Sequence, residues 1–206
     1  MILRLEQKTR LPQRTHEVYD LSFNKICNAG VSKVFDAYIA LNGELIKIVT
    51  DEICKSAIKK GENICGYINH KLEVTKKILF LPIGYEYDEI EYNGRIFTIY
   101  ESGLGANQHF FSLYENNCVV AVIHKDDRVI NYLNTYTLYA ENSVNMDMAL
   151  IYAMFLESTA FCDRTAGLGY SDVNIPHYSA QKELRDKYDP SFIQRVKMND
   201  GVMDNK

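Results

Sequence analysis

Apolar and polar residues alternate along much of the chain, from about Val34 to Ala140, and turn-forming residues interrupt them at short intervals. In "VFDAYIALNGELIKIVTD" two β-rich runs flank Asn42-Gly43. An Asn-Gly pair in that setting is the strongest local signal for a tight hairpin. "YDEIEYNGRIFTIYE" repeats the device around Asn93-Gly94, and "HFFSLYE" and "TYTLYAEN" read as further strands. A third pairing is expected within "NNCVVAVIHKDDRVINYL", where Lys125-Asp126-Asp127 separate two apolar runs. Connections this short make neighbouring strands antiparallel. No long helices alternate with the strands, which argues against a parallel α/β sheet. The spacing is too irregular for a propeller or solenoid.

The pattern breaks at "MALIYAMFLESTAF", Met148–Phe161, which is helical in composition and apolar on nearly every face. A helix without a polar face is buried on all sides. At about 21 Å it falls short of the roughly 20 residues that cross a bilayer, and it carries Glu157. β-Sheet is then the only material left to surround it. The expected fold is mainly β, an antiparallel β-barrel closed around a buried, apolar C-terminal α-helix over about 146–164. Closure also removes exposed strand edges. Asn145 is the expected N-cap, Asp147 and Arg164 complement the helix ends, and Gly167 is the stop. Glu157 and Tyr152 need partners or an exit at the barrel mouth, because a lone buried carboxylate is too costly to keep ionised. Residues 1–168 would form this barrel. Residues 169–206 are polar and mixed in charge, and read as a C-terminal tail with one short amphipathic helix at most, around Ala180–Tyr188.

Composition narrows the class. With 206 residues, 47% hydrophobic, the chain can bury one substantial core and is marginal for two. A net charge of −4 shows no basic excess for duplex binding. The five cysteines are odd in number and include no Cys-x-x-Cys spacing, so they read as small buried thiols of a cytoplasmic protein. No transmembrane segment and no signal peptide are expected.

The run "VVAVIHKDDRVINYLNTYTLYAEN" followed by "SVNMDMALIYAMFLESTAF" resembles the tubby C-terminal-like fold, which includes the LURP-one-related proteins and phospholipid scramblases. The resemblance covers residues 15–165 in outline. It implies a run of hairpins closed into a barrel around a late apolar helix, and it implies phosphoinositide binding through a basic patch on the barrel wall. The calcium link of the scramblases is not carried over, because no matching acidic loop follows the helix.

Residue chemistry gives one charge feature. Between Cys54 and Phe80 stand Lys55, Lys59, Lys60, Lys71, Lys76 and Lys77, against Glu62 and Glu73 alone, in a chain that is acidic overall. Such segregation creates a local positive field that attracts anionic headgroups. These six lysines are the candidate binding residues. None of His16, His70, His109, His124 and His177 stands at a ligand spacing from another, so no metal is expected. "ESGLGANQH", Glu101–His109, has a Gly-x-Gly but lies between two strands, with no helix N-terminus to hold phosphate. No catalytic set and no cofactor emerge. The chain therefore reads as a non-enzymatic binding or scaffolding domain. Its expected partner is an anionic membrane surface or another protein, not nucleic acid, which makes it cytoplasmic or peripheral to a membrane. The alternative is a helix-grip carrier of a small molecule or lipid in an apolar cavity.

Overall fold

The computed structural model describes residues 1–10, 13–33, 36–50, 56–78, 81–131, 133–159, 172–174 and 177–202; at 33, 76–78, 81–82, 128–130 and 172–174 only the backbone is described. The strands are β1 (Ile2–Gln7), β2 (Arg14–Tyr19), β3 (Lys25–Lys33), β4 (Asp36–Leu41), β5 (Glu44–Thr50), β6 (Ser56–Lys60), β7 (Asn63–Ile78), β8 (Leu81–Tyr92), β9 (Arg95–Gly105), β10 (His109–Glu115), β11 (Cys118–Lys125), β12 (Arg128–Ile130) and β13 (Thr135–Ala140). They are followed by α1 (Ser143–Ser158), β14 (Asp172–Asn174), β15 (His177–Tyr178), α2 (Lys182–Arg185) and α3 (Pro190–Asn199). Strands β1 to β11 pair in chain order, β13 lies between β11 and β1, and β10 bonds to both β9 and β11. The result is a closed 12-strand antiparallel barrel.

The Asn-Gly turns do what their chemistry predicts. Asn42 and Gly43 (φ 52° and 80°) join β4 to β5, and Asn93 and Gly94 (φ 49° and 76°) join β8 to β9. Two successive left-handed residues match the right-handed twist of the flanking strands, and asparagine and glycine tolerate that conformation best. Asn116 and Asn117 (φ 50° and 64°) make a third such turn, between β10 and β11. This turn overturns the hairpin expected around Lys125-Asp126-Asp127. With β10 already on one edge, β11 gives its other edge to β13, and β12 pairs with β14 in a separate two-stranded sheet.

Each barrel strand turns alternate residues inward. Ile39, Ile46, Ile48, Ile58, Ile68, Ile90, Phe97, Ile99, Phe111, Leu113, Ile123 and Leu138 belong to one apolar cluster that also contains Met148, Leu150, Ile151 and Met154 of α1. From Met148 to Met154 the helix is buried without interruption, and it packs on β3, β4, β5, β11 and β13. Its start lies earlier than expected. Asn142 is the N-cap, its Oδ1 accepting from the Asn145 backbone N–H at 2.9 Å. Asn145 instead points its own Oδ1 at Arg95 Nη2 (3.1 Å), and that guanidinium also grips Glu115 with two bonds of 2.7 and 2.6 Å. Arg164 and Gly167 lie outside the described residues.

The C-terminal segment docks on the outside of the barrel. Asp189 caps α3 and Pro190 sits in its first turn. Phe192 and Val196 then bury themselves against Ile2, Phe110 and Val122 of the wall. Tyr188 stacks on Phe110 with centroids 4.0 Å apart, and the Lys187 ammonium lies 4.3 Å from the Tyr100 ring centroid. Among the described residues, no helix is long and apolar enough to cross a membrane. Of the cysteines read as buried, Cys27 and Cys65 are half-buried and Cys118 is exposed, because it opens β11 directly after the Asn116-Asn117 turn. Cys54 and Cys162 lie outside the described residues.

Candidate functional site

The fold spreads the lysines apart. Lys60 lies opposite Asn63, whereas Lys71 is eight residues further along β7, about 26 Å at the rise of a strand. Lys60 Nζ pairs with Glu44 at 2.6 Å, which holds its pKa above the ordinary lysine value. Lys71 reaches Glu89 at 3.8 Å. Lys76 and Lys77 pair in register with Ile83 and Pro82, but their side chains, like all of Lys55, lie outside the described residues. Lys59 is different. It stands between Lys47 of β5 and Ile64 of β7 in register, and among the described residues neither Lys47 nor Lys59 meets a carboxylate. Leu45, two positions from Lys47 on the same face, is 48% exposed and Ile64 is 52% exposed. Two like charges side by side, flanked by uncovered aliphatic groups, form the basic-apolar surface on this wall. Lys47 fell outside the charge cluster in sequence because β5 reaches β6 only through the register of the sheet.

A second group of polar residues gathers inside the barrel where α1 ends. Glu157 is fully buried. Its Oε1 accepts from Asn134 Nδ2 (2.9 Å) and from the Tyr136 hydroxyl, and its Oε2 lies 3.0 Å from His16 Nε2. Arg14 Nη1 donates to the Glu157 carbonyl at 2.9 Å. Burial and the adjacent carboxylate push the Tyr136 phenol well above its ordinary pKa. Lys125, also buried, is lowered by desolvation, which the charges of Glu157 and Asp127 oppose. Tyr152, the other buried residue of the helix for which the sequence demands a partner, donates to Asp88 Oδ2 at 2.6 Å. The partners that the helix sequence demanded are thus present, contributed by β2, β8, β13 and the approach to β13.

The third group lies at the rim, where β9, β10 and β15 meet. His109 stands opposite Gly103 in register, and Glu101 is two residues before Gly103 on the same face of β9. Glu101 Oε1 is 2.7 Å from His109 Nε2 and 3.4 Å from His177 Nε2. The two imidazoles stack with centroids 4.4 Å apart. Burial raises the Glu101 carboxyl, but the bond to His109 and the charges of both histidines outweigh it and hold the pKa below the usual range. No ligand spacing in the sequence marks this trio. Glu101 and His109 are diagonal neighbours across a hairpin, a relation visible in "ESGLGANQH" once both flanks are read as paired strands. His177 is 68 residues beyond His109 and gives no local signal.

Comparison with protein-family models, curated proteins and solved structures found no match.

Proposed function

We propose that this chain is a non-enzymatic binding domain whose outer wall engages anionic phospholipid headgroups, with α1 serving as the filling of the barrel. One observation carries the reading: Lys47 and Lys59 lie side by side without carboxylate partners among the described residues, framed by exposed Leu45 and Ile64. A lysine near an anionic membrane surface contributes about 1 kcal/mol, and uncovered aliphatic side chains add interfacial burial. The resemblance to tubby-like proteins points to the same chemistry and to the same use of the wall, although the residues concerned are only in part those marked by the sequence. Lys60 and Lys71 are spent on Glu44 and Glu89. Of the three predicted lysines whose side chains are described, Lys59 supports the reading by its surroundings, and Lys47 joins it.

The carrier alternative needs an apolar cavity within the wall. The shared cluster of α1 and strand residues supports a filled interior instead. The test is co-sedimentation with vesicles of neutral lipid, of phosphatidylserine and of phosphoinositide, at low and physiological salt. Binding to anionic vesicles alone, weakened by salt, is expected. Lys47→Gln with Lys59→Gln should lower the partition coefficient by about 30-fold, the factor equivalent to about 2 kcal/mol. Equal binding by the wild type and the double variant would refute this wall as the contact surface.

A further inference from the structure

We propose that Glu101, His109 and His177 bind a divalent first-row transition metal, zinc by preference, and that the ion fastens the C-terminal segment to the barrel rim. The three ligand atoms lie within 4.8 Å of one another. Two imidazole nitrogens and one carboxylate oxygen are the donor set that zinc accepts while leaving a fourth position for water. Donors held about 2.1 Å from a tetrahedral ion stand roughly 3.4 Å apart. The His177 and Glu101 atoms are already 3.4 Å apart. The 2.7 Å between His109 and Glu101 is a hydrogen bond that opens by about 0.7 Å as the ion replaces the proton.

Contacts other than those among the ligand atoms also hold this arrangement in place. Gly103 lies at the centre of the trio, and a Cβ there would come within 2.3 Å of His177 Cδ2 and 2.7 Å of the His177 carbonyl carbon and oxygen. The missing side chain is the space that His177 occupies. β15 is paired with Gly105 and Leu104 of β9. Ser179 completes the clamp, its N–H donating to the Gly103 carbonyl and its hydroxyl accepting from the Gly103 N–H, both at 2.9 Å. His109 is buried against Phe111 (centroids 4.9 Å apart), whereas the Glu101 and His177 side chains are 44% and 42% exposed. The site therefore has one fixed ligand on the wall, one at the rim and one brought by the C-terminal segment, with an open side for ion entry and for a water ligand.

Soft thiolate sites are a separate chemistry, and the measurement separates them. The full chain is treated with EDTA, desalted, and titrated at pH 7.5 with Zn²⁺ against a chromophoric chelator and with Co²⁺ by absorption spectroscopy; Mg²⁺ and Ca²⁺ serve as hard-cation controls. One equivalent of Zn²⁺ should bind. Co²⁺ should give visible d–d bands of a four- or five-coordinate N/O site, without the near-ultraviolet charge transfer of a thiolate. At a hundredfold excess over Kd, Zn²⁺ should raise the melting temperature by about 5–10 °C. His177→Gln and Glu101→Gln, both at partly exposed positions, should each weaken Zn²⁺ binding at least tenfold. Their metal-free melting curves should stay close to that of the metal-free wild type. Stoichiometric binding that survives both substitutions, a thiolate band, or no Zn²⁺ or Co²⁺ binding at all would each overturn the proposal.

Discussion

Glu157→Ala tests whether the carboxylate at the end of α1 organises the barrel interior. The substitution removes the carboxylate that accepts from the Tyr136 hydroxyl and the Asn134 amide and that partners His16; Glu157, Tyr136 and His16 are buried and Asn134 is half-buried. Removing one partner of a buried charged network costs about 3–5 kcal/mol, because the remaining groups keep their desolvation penalty. Total stability of a domain is about 5–15 kcal/mol, so a loss of that size is a large fraction of it. With a urea m-value of about 2 kcal/mol per molar, the midpoint should fall by about 1.5–2.5 M. The network origin of the effect is separable from simple cavity formation by a double-mutant cycle. Tyr136→Phe alone should cost about 1–2 kcal/mol. In the Glu157→Ala background, where its hydroxyl has already lost its acceptor, the same change should cost nothing or stabilise. Urea melts of the four proteins, followed by far-ultraviolet circular dichroism, give the coupling directly. Additive effects within about 0.5 kcal/mol would refute the idea that Glu157 acts through Tyr136.

Three further outcomes follow from burial and titration. Leu150 is 1% exposed within the core cluster, so Leu150→Asp should abolish cooperative folding; a soluble variant with a sharp thermal transition would contradict the burial of α1. His124 is pushed below its ordinary pKa first by desolvation, against the bond to the Asn107 carbonyl and the pull of nearby aspartates. A histidine held neutral in the folded state contributes stability that is present above the unfolded value of about 6.5 and is lost as pH falls from there toward the lowered folded value; a histidine NMR midpoint at or above 6.5 for this ring would refute the assignment. Burial, with the charge of Asp147, pushes the Cys27 thiol up to about 11, whereas Cys118 is exposed. Iodoacetamide at pH 8 should therefore modify Cys118 well before Cys27, as peptide mass spectrometry would show, and comparable rates would be inconsistent with the structure.

What sequence could and could not reveal divides along the range of the interactions involved. The hairpins at Asn42-Gly43 and Asn93-Gly94 were legible because a left-handed two-residue turn is a local demand that few residue pairs meet. The need of Glu157 and Tyr152 for partners was legible for a similar reason, since desolvation depends on burial alone. The identity of those partners was not, because His16 and Glu157 are brought together only by barrel closure. The third hairpin is hard to place from sequence because Lys125-Asp126-Asp127 is as polar as a turn, while the competing signal, two asparagines at 116 and 117, is weaker than Asn-Gly. The lysines illustrate the opposite error. Proximity in sequence is not proximity in space here, because β7 is 16 residues long and carries Lys71 away from Lys59. The docked tail had a readable start in Asp189-Pro190-Ser191, a capping residue followed by proline at the first helical position.

Gly103 connects these long-range features in one residue. Among ordinary strand positions, glycine to alanine stabilises by about 0.4–1 kcal/mol where the backbone permits, through the lower entropy of the unfolded chain. At Gly103 the expected sign is reversed. A methyl group there meets both the ring and the main chain of His177, so truncating the ring cannot relieve the clash. The least costly response is release of β15, since α3 remains anchored by Phe192 and Val196 through a separate apolar cluster. Gly103→Ala should therefore leave most of the barrel protected. It should increase hydrogen exchange at the Ser179 amide, which donates to the Gly103 carbonyl, and at the residues that pair with Leu104 and Gly105. The same variant should lose Zn²⁺ binding although all three ligands are present, and Gly103→Ala with His177→Ala should restore neither property. Unchanged protection around Ser179 would show that β15 does not depend on the glycine gap, and the rim would then lack the backbone preorganisation argued for it.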